Sequence, residues 1–489
     1  MPVRRHATAN PSPSSPALVP VGASSLPSSA DTAFSPGAIL AIAGATLLFL
    51  IPAIWNGFPL VYYDSVDYLQ LPFIWRMPIY RTAGYALVTL FGRLAHNLWA
   101  VPLLQSALVA YVLHETLRRF LPRSPEAALI VIAGLLLLTS GLPWFTGEIM
   151  PDAFTGVLVL SFAVLVCDEN LLSPARRAAL TAIMALAVAV HSSHAGLAGG
   201  LLLSLLLVSL AAPGLWPGLR RRLRLPLLAF LLGLALAGAA NTAATGRFFL
   251  LQDNAVLTLG LFVENGLAEK YLDHACGKPE PKLRLCAARH RLPHNANMFL
   301  WHDRDFDRLG GWSGMHGEAQ RIVVNAIKSF PLTYLWDSIE LTVRQLVMLK
   351  TADGVAPMRY LIGDAVARHY PQEFAAFVAA HQQRGAAFDD LNAVQVPLLL
   401  LACAALPILL VIAWRRRDPD AVLLLGIFTL ALLGNAFVCG ALSNPNDRYQ
   451  SRIAWLAIVA VAIALGRWHR QSGSGRPGPA SDFPRRGSS

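Results

Sequence analysis

Charge is scarce in this chain. Only 14% of its 489 residues are Asp, Glu, Lys or Arg, against about 25% in soluble proteins. With 55% hydrophobic residues as well, the chain lacks the polar surface of a plain soluble globule. Cysteine is scarce too: there are five, with no Cys-x-x-Cys and no Cys/His zinc spacing, so a structural zinc scaffold is excluded. The signatures Gly-x-x-x-x-Gly-Lys, His-Glu-x-x-His and Gly-x-Ser-x-Gly are all missing. Their absence removes P-loop nucleotide hydrolysis, the common zinc-peptidase helix and the nucleophile-elbow hydrolases. No solenoid repeat and no inverted repeat of the transporter kind is evident. The net charge of +11 is not gathered in a basic domain apart from the apolar runs. Nucleic acid is therefore not an expected partner.

What the chain does have is a series of apolar runs. They fall at about 37–55, 98–117, 126–143, 153–168, 177–191, 195–212, 225–243, 395–413, 421–441 and 453–467. A membrane helix needs about 20 such residues. The expected fold class is an all-α polytopic membrane protein with about ten transmembrane helices and a mainly helical outer domain. Residues 1–36, rich in Pro, Ser and Ala, have no early apolar run for a cleavable leader and read as a disordered tail. Spans one to seven occupy 37–243, with a first outer loop at 56–97, and spans eight to ten occupy 395–467. Between them lies a polar outer segment, 244–394, and a second disordered tail follows at 468–489.

Arginine sets the orientation. Arg118, Arg119 and Arg123 follow the second span, Arg176 and Arg177 the fourth, Arg220 to Arg222 and Arg224 the sixth, and Arg415 to Arg417 the eighth; more follow the tenth. Basic loops stay cytoplasmic. Both termini are thus expected inside a bacterial-type inner membrane, with 244–394 in the periplasm. Cys276 and Cys286 would then face an oxidising compartment, where a disulfide can form. The Leu309 to Gly314 stretch is glycine-rich, but no strand precedes it, and it reads as a loop.

In this topology the chemistry-capable residues gather on the outer face, at the ends of spans. Asp64 and Asp67 follow span one; a spacing of three puts them on one face of a helix. They read as a helix N-cap in a solvated loop, or as a general base for an acceptor hydroxyl, with or without a divalent cation. Glu148 and Asp152 lie between spans three and four. Asp152 reads as an N-cap or a functional acid, and Glu148 has less structural reason to be there. His191 and His194 mark a break between spans five and six. They read as interface histidines or as phosphate or metal contacts, although two histidines specify no metal. Asp447, Arg448 and Tyr449 follow Pro445. They read as a turn with a headgroup anchor, or as a phosphate clamp, since guanidinium suits bidentate phosphate contacts.

This layout resembles the GT-C superfamily of polytopic membrane glycosyltransferases that use polyprenyl-phosphate-linked sugars. Members carry an acidic motif after span one, like Asp64 and Asp67, followed by an amphipathic interface helix, like 82–95. A second acidic position follows in the next outer loop, like Glu148 and Asp152. The His191-Ser192-Ser193-His194 break, the late outer segment and Asp447-Arg448-Tyr449 also have counterparts. The motif here is Asp-Ser-Val-Asp rather than the closer acidic pair common in that superfamily. The resemblance implies transfer of a sugar from a polyprenyl-phosphate donor to a cell-envelope glycan or lipid acceptor. Asp64 or Asp67 would be the base. The resemblance also implies substrate contacts from Glu148, Asp152, His191, His194, Asp447, Arg448 and Tyr449. A secondary transporter, a lipid flippase and a non-catalytic membrane scaffold are the rival classes, although transporters more often carry their charges at mid-membrane.

Overall fold

Several apolar runs begin at a helix start signal. Ser35 accepts a hydrogen bond from the Ala38 amide, Pro36 occupies the first turn, and Gly57 at φ 78° closes the helix Pro36–Asn56. Ser173 with Pro174, and Asp418 with Pro419, open Pro174–Ala189 and Pro419–Ala436 in the same way. The computed structural model describes residues 35–473 except 79, 169–170, 253, 279–281 and 387. Most of the two expected tails, 1–36 and 468–489, lies outside the described residues.

Seven of the described helices are long and apolar enough to cross a membrane. They are Pro36–Asn56, Ala100–Phe120, Ser192–Ala211, Leu219–Thr245, Asp389–Arg415, Pro419–Ala441 and Asp447–His469. The remaining three runs are helical but shorter: Pro125–Thr139, Ala153–Cys167 and Pro174–Ala189. At 1.5 Å per residue, such a helix covers about 22–24 Å of a hydrocarbon core of about 30 Å. With no strand among the described residues, the chain is an all-α multi-pass membrane protein.

The Ala153–Cys167 helix is buried along its whole length. Its Gly156 is where Trp455 of the last helix comes closest, and a Cβ there would lie 2.1 Å from the indole. The outer end of this central helix stops at Asp152. There residues 58–61 and 147–149 are zipped together, since the Leu60 amide donates to the Gly147 carbonyl and the Ile149 amide to the Leu60 carbonyl, each at 2.9 Å.

The segment between Thr245 and Asp389 divides in two. Residues 256–326 build a separate core around Phe262, Tyr271, Phe299 and Ile322, and Cys276 is disulfide-bonded to Cys286. Leu349, Met358, Ile362, Tyr370 and Phe377 instead join the core of the membrane helices. The Pro331–Val347 helix connects the two. The Leu309 to Gly314 stretch is not a loop throughout. Gly310 at φ 99° supplies a left-handed turn from which the helix Gly311–Ser329 starts. The amphipathic 82–95 stretch folds as a short turn and the helix Ala86–Ala95, with Phe91 and Leu94 exposed.

Candidate active site

The short helix Ser65–Ile74 carries the first pair of acids. Asp64 stands at its N-cap position and Asp67 in its first turn, yet Asp64 makes no side-chain cap. Both carboxylates turn to Arg81 instead. Arg81 Nη1 donates to Asp64 Oδ2 at 2.6 Å and Nε to Asp67 Oδ2 at 2.8 Å, and Nη2 donates to Asp64 Oδ1. The guanidinium also lies over the rings of Tyr80 and Tyr68, 5.3 and 5.8 Å from their centres. Burial pushes the Asp67 carboxyl above the usual aspartate range, with Arg81 pulling it back. The charge between the two acids is thus an arginine, which leaves this pair ill-suited to a divalent cation. Among the described residues no group of three or more His, Cys, Asp and Glu side chains could hold a metal ion.

The second cluster is fully buried. Arg448 Nη1 and Nη2 donate to the two oxygens of Glu148 at 3.1 and 2.6 Å, and Nη2 also reaches Asp152 Oδ2 at 2.6 Å. Arg452, one turn further along the same helix, donates to Asp152 Oδ1 at 3.1 Å and to Ser193 Oγ at 3.0 Å. Two carboxylates therefore meet two guanidiniums. Such a cluster holds only because each charge is paired; a lone buried charge costs several kcal/mol. Asp152 is at the start of its helix but makes no side-chain cap, so its ion pairs account for it. Arg448 and Arg452 carry the Asp152 carboxyl below its usual range against the opposing effect of burial. Glu148, with burial dominant over Arg448, moves up.

Backbone and side-chain ties hold the two clusters side by side. Ser65 Oγ donates to the Ile149 carbonyl at 2.9 Å, and the Tyr62 ring lies against Arg448, 4.1 Å from its guanidinium carbon. Gly354, at φ 77°, is what lets Tyr62 take that place; a Cβ there would sit 2.0 Å from the ring. Gln105 donates to the carbonyls of Thr146 and Glu148, and its oxygen accepts from Tyr85. Tyr85 in turn packs edge-on to Tyr68, with centres 4.8 Å apart.

The histidines and the 447–449 turn have other duties. His194 is tied at both ring nitrogens, to Thr155 Oγ1 at 2.8 Å and the Ala187 carbonyl at 2.7 Å. His191 Nδ1 accepts from the Ser193 amide, and Ser193 is the residue that meets Arg452. Burial first, and then Arg452, push the His191 imidazole down to about 3, so it is neutral at pH 7. Asp447 accepts from the Lys350 amide at 2.9 Å, away from Glu148 and Asp152. Tyr449 packs against Arg452, and its carbonyl accepts from Asn435.

Four residues of this arrangement do not stand out in the sequence: Arg81, Arg452, Gln105 and Asp353, whose Oδ2 accepts from the Arg448 amide at 3.4 Å. The signal for Arg452 is its spacing of four from Arg448, which puts both on one helix face. Arg81 has no such signal, because a lone arginine in an outer loop is common. No family model matches the chain, and neither a curated protein nor a solved structure does.

Proposed function

We propose that this chain is an integral-membrane glycosyltransferase of the GT-C type. In this reading the ten helical runs span a bacterial inner membrane with both termini cytoplasmic and 244–394 in the periplasm. The enzyme moves a sugar from a polyprenyl-phosphate donor to a hydroxyl of a cell-envelope glycan or lipid. The observation that carries the reading is the joining of two acid clusters, Asp64 with Asp67 and Glu148 with Asp152. Each is held by arginine, where membrane helices end.

The donor phosphate would take up Arg448, which exchanges a carboxylate partner for phosphate oxygens and offsets the charge on the leaving polyprenyl phosphate. Asp64 or Asp67 would accept the acceptor's proton as its oxygen attacks the anomeric carbon. The carbon–oxygen bond to the phosphate breaks as the new glycosidic bond forms, which inverts the anomeric centre. Arg81 must release one carboxylate for this, and it remains close enough to stabilise the other. Asp152 with Arg452 and the neutral His191 would hold the floor of the site, with His194 fastening it from beneath. Asp447 and Tyr449 would set the turn that presents Arg448. No divalent cation is required in this scheme.

The direct test is transfer from polyprenyl-phosphate sugars in membranes that carry Asp64→Asn or Asp67→Asn. Normal transfer by both single variants would remove the assignment. One observation favours a second reading: buried paired charges among spans also mark ion-coupled transporters. Substrate uptake by the purified protein in sealed vesicles, without any glycosidic product, would support transport instead.

A further inference from the structure

We infer that the Pro331–Val347 helix lies in the membrane surface on the side of the candidate site, with one stripe of side chains among the lipid acyl chains. The helix shows three different faces. Ser338, Leu341 and Gln345 are buried, and they pack where the Pro419–Ala436 helix continues into Phe437–Ala441. The fit is close, since a Cβ on Gly440 would stand 2.6 Å from the Leu341 carbonyl oxygen. Thr333 and Asp337 form a polar face that meets the unit with its own core: Lys270 Nζ donates to Thr333 Oγ1 at 2.9 Å and Asn265 to Asp337 Oδ2 at 3.3 Å. Glu340 and Arg344 extend that polar face as exposed charges.

The third face is apolar and uncovered. Leu332, Leu335, Trp336, Ile339, Val343 and Val347 recur at three- and four-residue steps along one side, and all are exposed, Leu332 by 80% and Trp336 by 68%. In water such a stripe would be costly. The occupant we assign is the outer layer of lipid next to the site, for two reasons. First, the stripe continues the exposed flank of the spanning helix against which this one packs, where Leu433, Phe437 and Leu442 are also exposed. Second, Asp337, Glu340 and Arg344 forbid a transmembrane placement, while their segregation from the stripe suits a helix lying flat in the interface.

The placement links lipid to the site. Gln345 Nε2 donates to the Asn446 carbonyl at 2.8 Å and its oxygen accepts from the Asn446 amide at 2.9 Å. Beyond the helix, Lys350 and Asp353 contact Asp447 and Arg448. The depth of the stripe in lipid therefore sets the height of the turn that carries Arg448, whatever chemistry the site performs.

The test uses the full chain in vesicles of phosphatidylethanolamine and phosphatidylglycerol. The photoreactive residue p-benzoylphenylalanine replaces Ile339 or Val343 on the stripe, and Glu340 or Arg344 on the polar face. Adducts are read by mass spectrometry. Phospholipid adducts at 339 and 343, and none at 340 and 344, are expected. Any stripe variant that elutes abnormally is replaced by the same change at Leu335 or Trp336. Cross-linking of the stripe to a second copy or another protein, equal lipid adducts at all positions, or none at the stripe would overturn the inference.

Discussion

A single nitrogen of Arg448 joins two carboxylates: Nη2 lies 2.6 Å from Glu148 Oε2 and 2.6 Å from Asp152 Oδ2. The acids come from one interhelical corner and the arginine from the last helix, some 300 residues later in the chain. That one atom closes the bundle at the level of the candidate site, and it defines what several substitutions should do.

Arg448→Met leaves Glu148 and Asp152 buried without their shared partner. The expected loss is about 3–5 kcal/mol of stability, as for other broken buried pairs. It is read as a lower unfolding midpoint in detergent. Arg448→Lys keeps one charge but loses the fork. It should fold closer to wild type while transfer falls by at least about tenfold. A lysine variant with full transfer would remove the phosphate-clamp role.

Arg81→Gln should move the acid limb of the pH–rate profile upward. Burial already raises the Asp67 carboxyl, and Arg81 opposes that effect. Without the guanidinium the carboxyl rises further, so a base that must be ionised is lost at a higher pH than in wild type. An unshifted acid limb would show that Asp67 is not the titrating base.

His191 should show no titration between pH 5 and 8. Its imidazole is pushed down to about 3 by burial and by Arg452, so its charge is the same across that range. Histidine NMR on the labelled protein, compared with His191→Asn, reads this directly. A signal lost in the variant and titrating near pH 6.5 would refute a neutral His191.

Cys276 and Cys286 should resist a thiol reagent until the protein is reduced, because they are disulfide-bonded. A cysteine introduced at Arg416 should react only when reagent crosses the membrane. Labelling of position 416 from outside intact cells would reverse the proposed topology. Cys276→Ser, which opens a loop of ten residues, should lower stability by about 2–3 kcal/mol, read on the unfolding of the full chain.

The sequence by itself determined the helices and where they stop. Apolar run length and the start signals at Ser35, Ser173 and Asp418 are local properties, so they can be read without a partner in view. The positions of Asp64, Asp67, Glu148, Asp152 and Arg448 were legible for the same reason: charges beside apolar runs are rare and stand out. Tertiary structure alone decided their pairing. Nothing near Arg81 in sequence indicates that it lies between Asp64 and Asp67, and nothing near Arg452 indicates Asp152. Asp152 and Glu148 have the same chemistry in sequence, yet their surroundings drive their carboxyls in opposite directions. His194 has the look of a ligand in sequence, but packing satisfies both its nitrogens. The physical reason is range. Helix formation depends on neighbours within a few residues, whereas the partner of a buried charge is whichever group the folded bundle brings to it, here across about 300 positions.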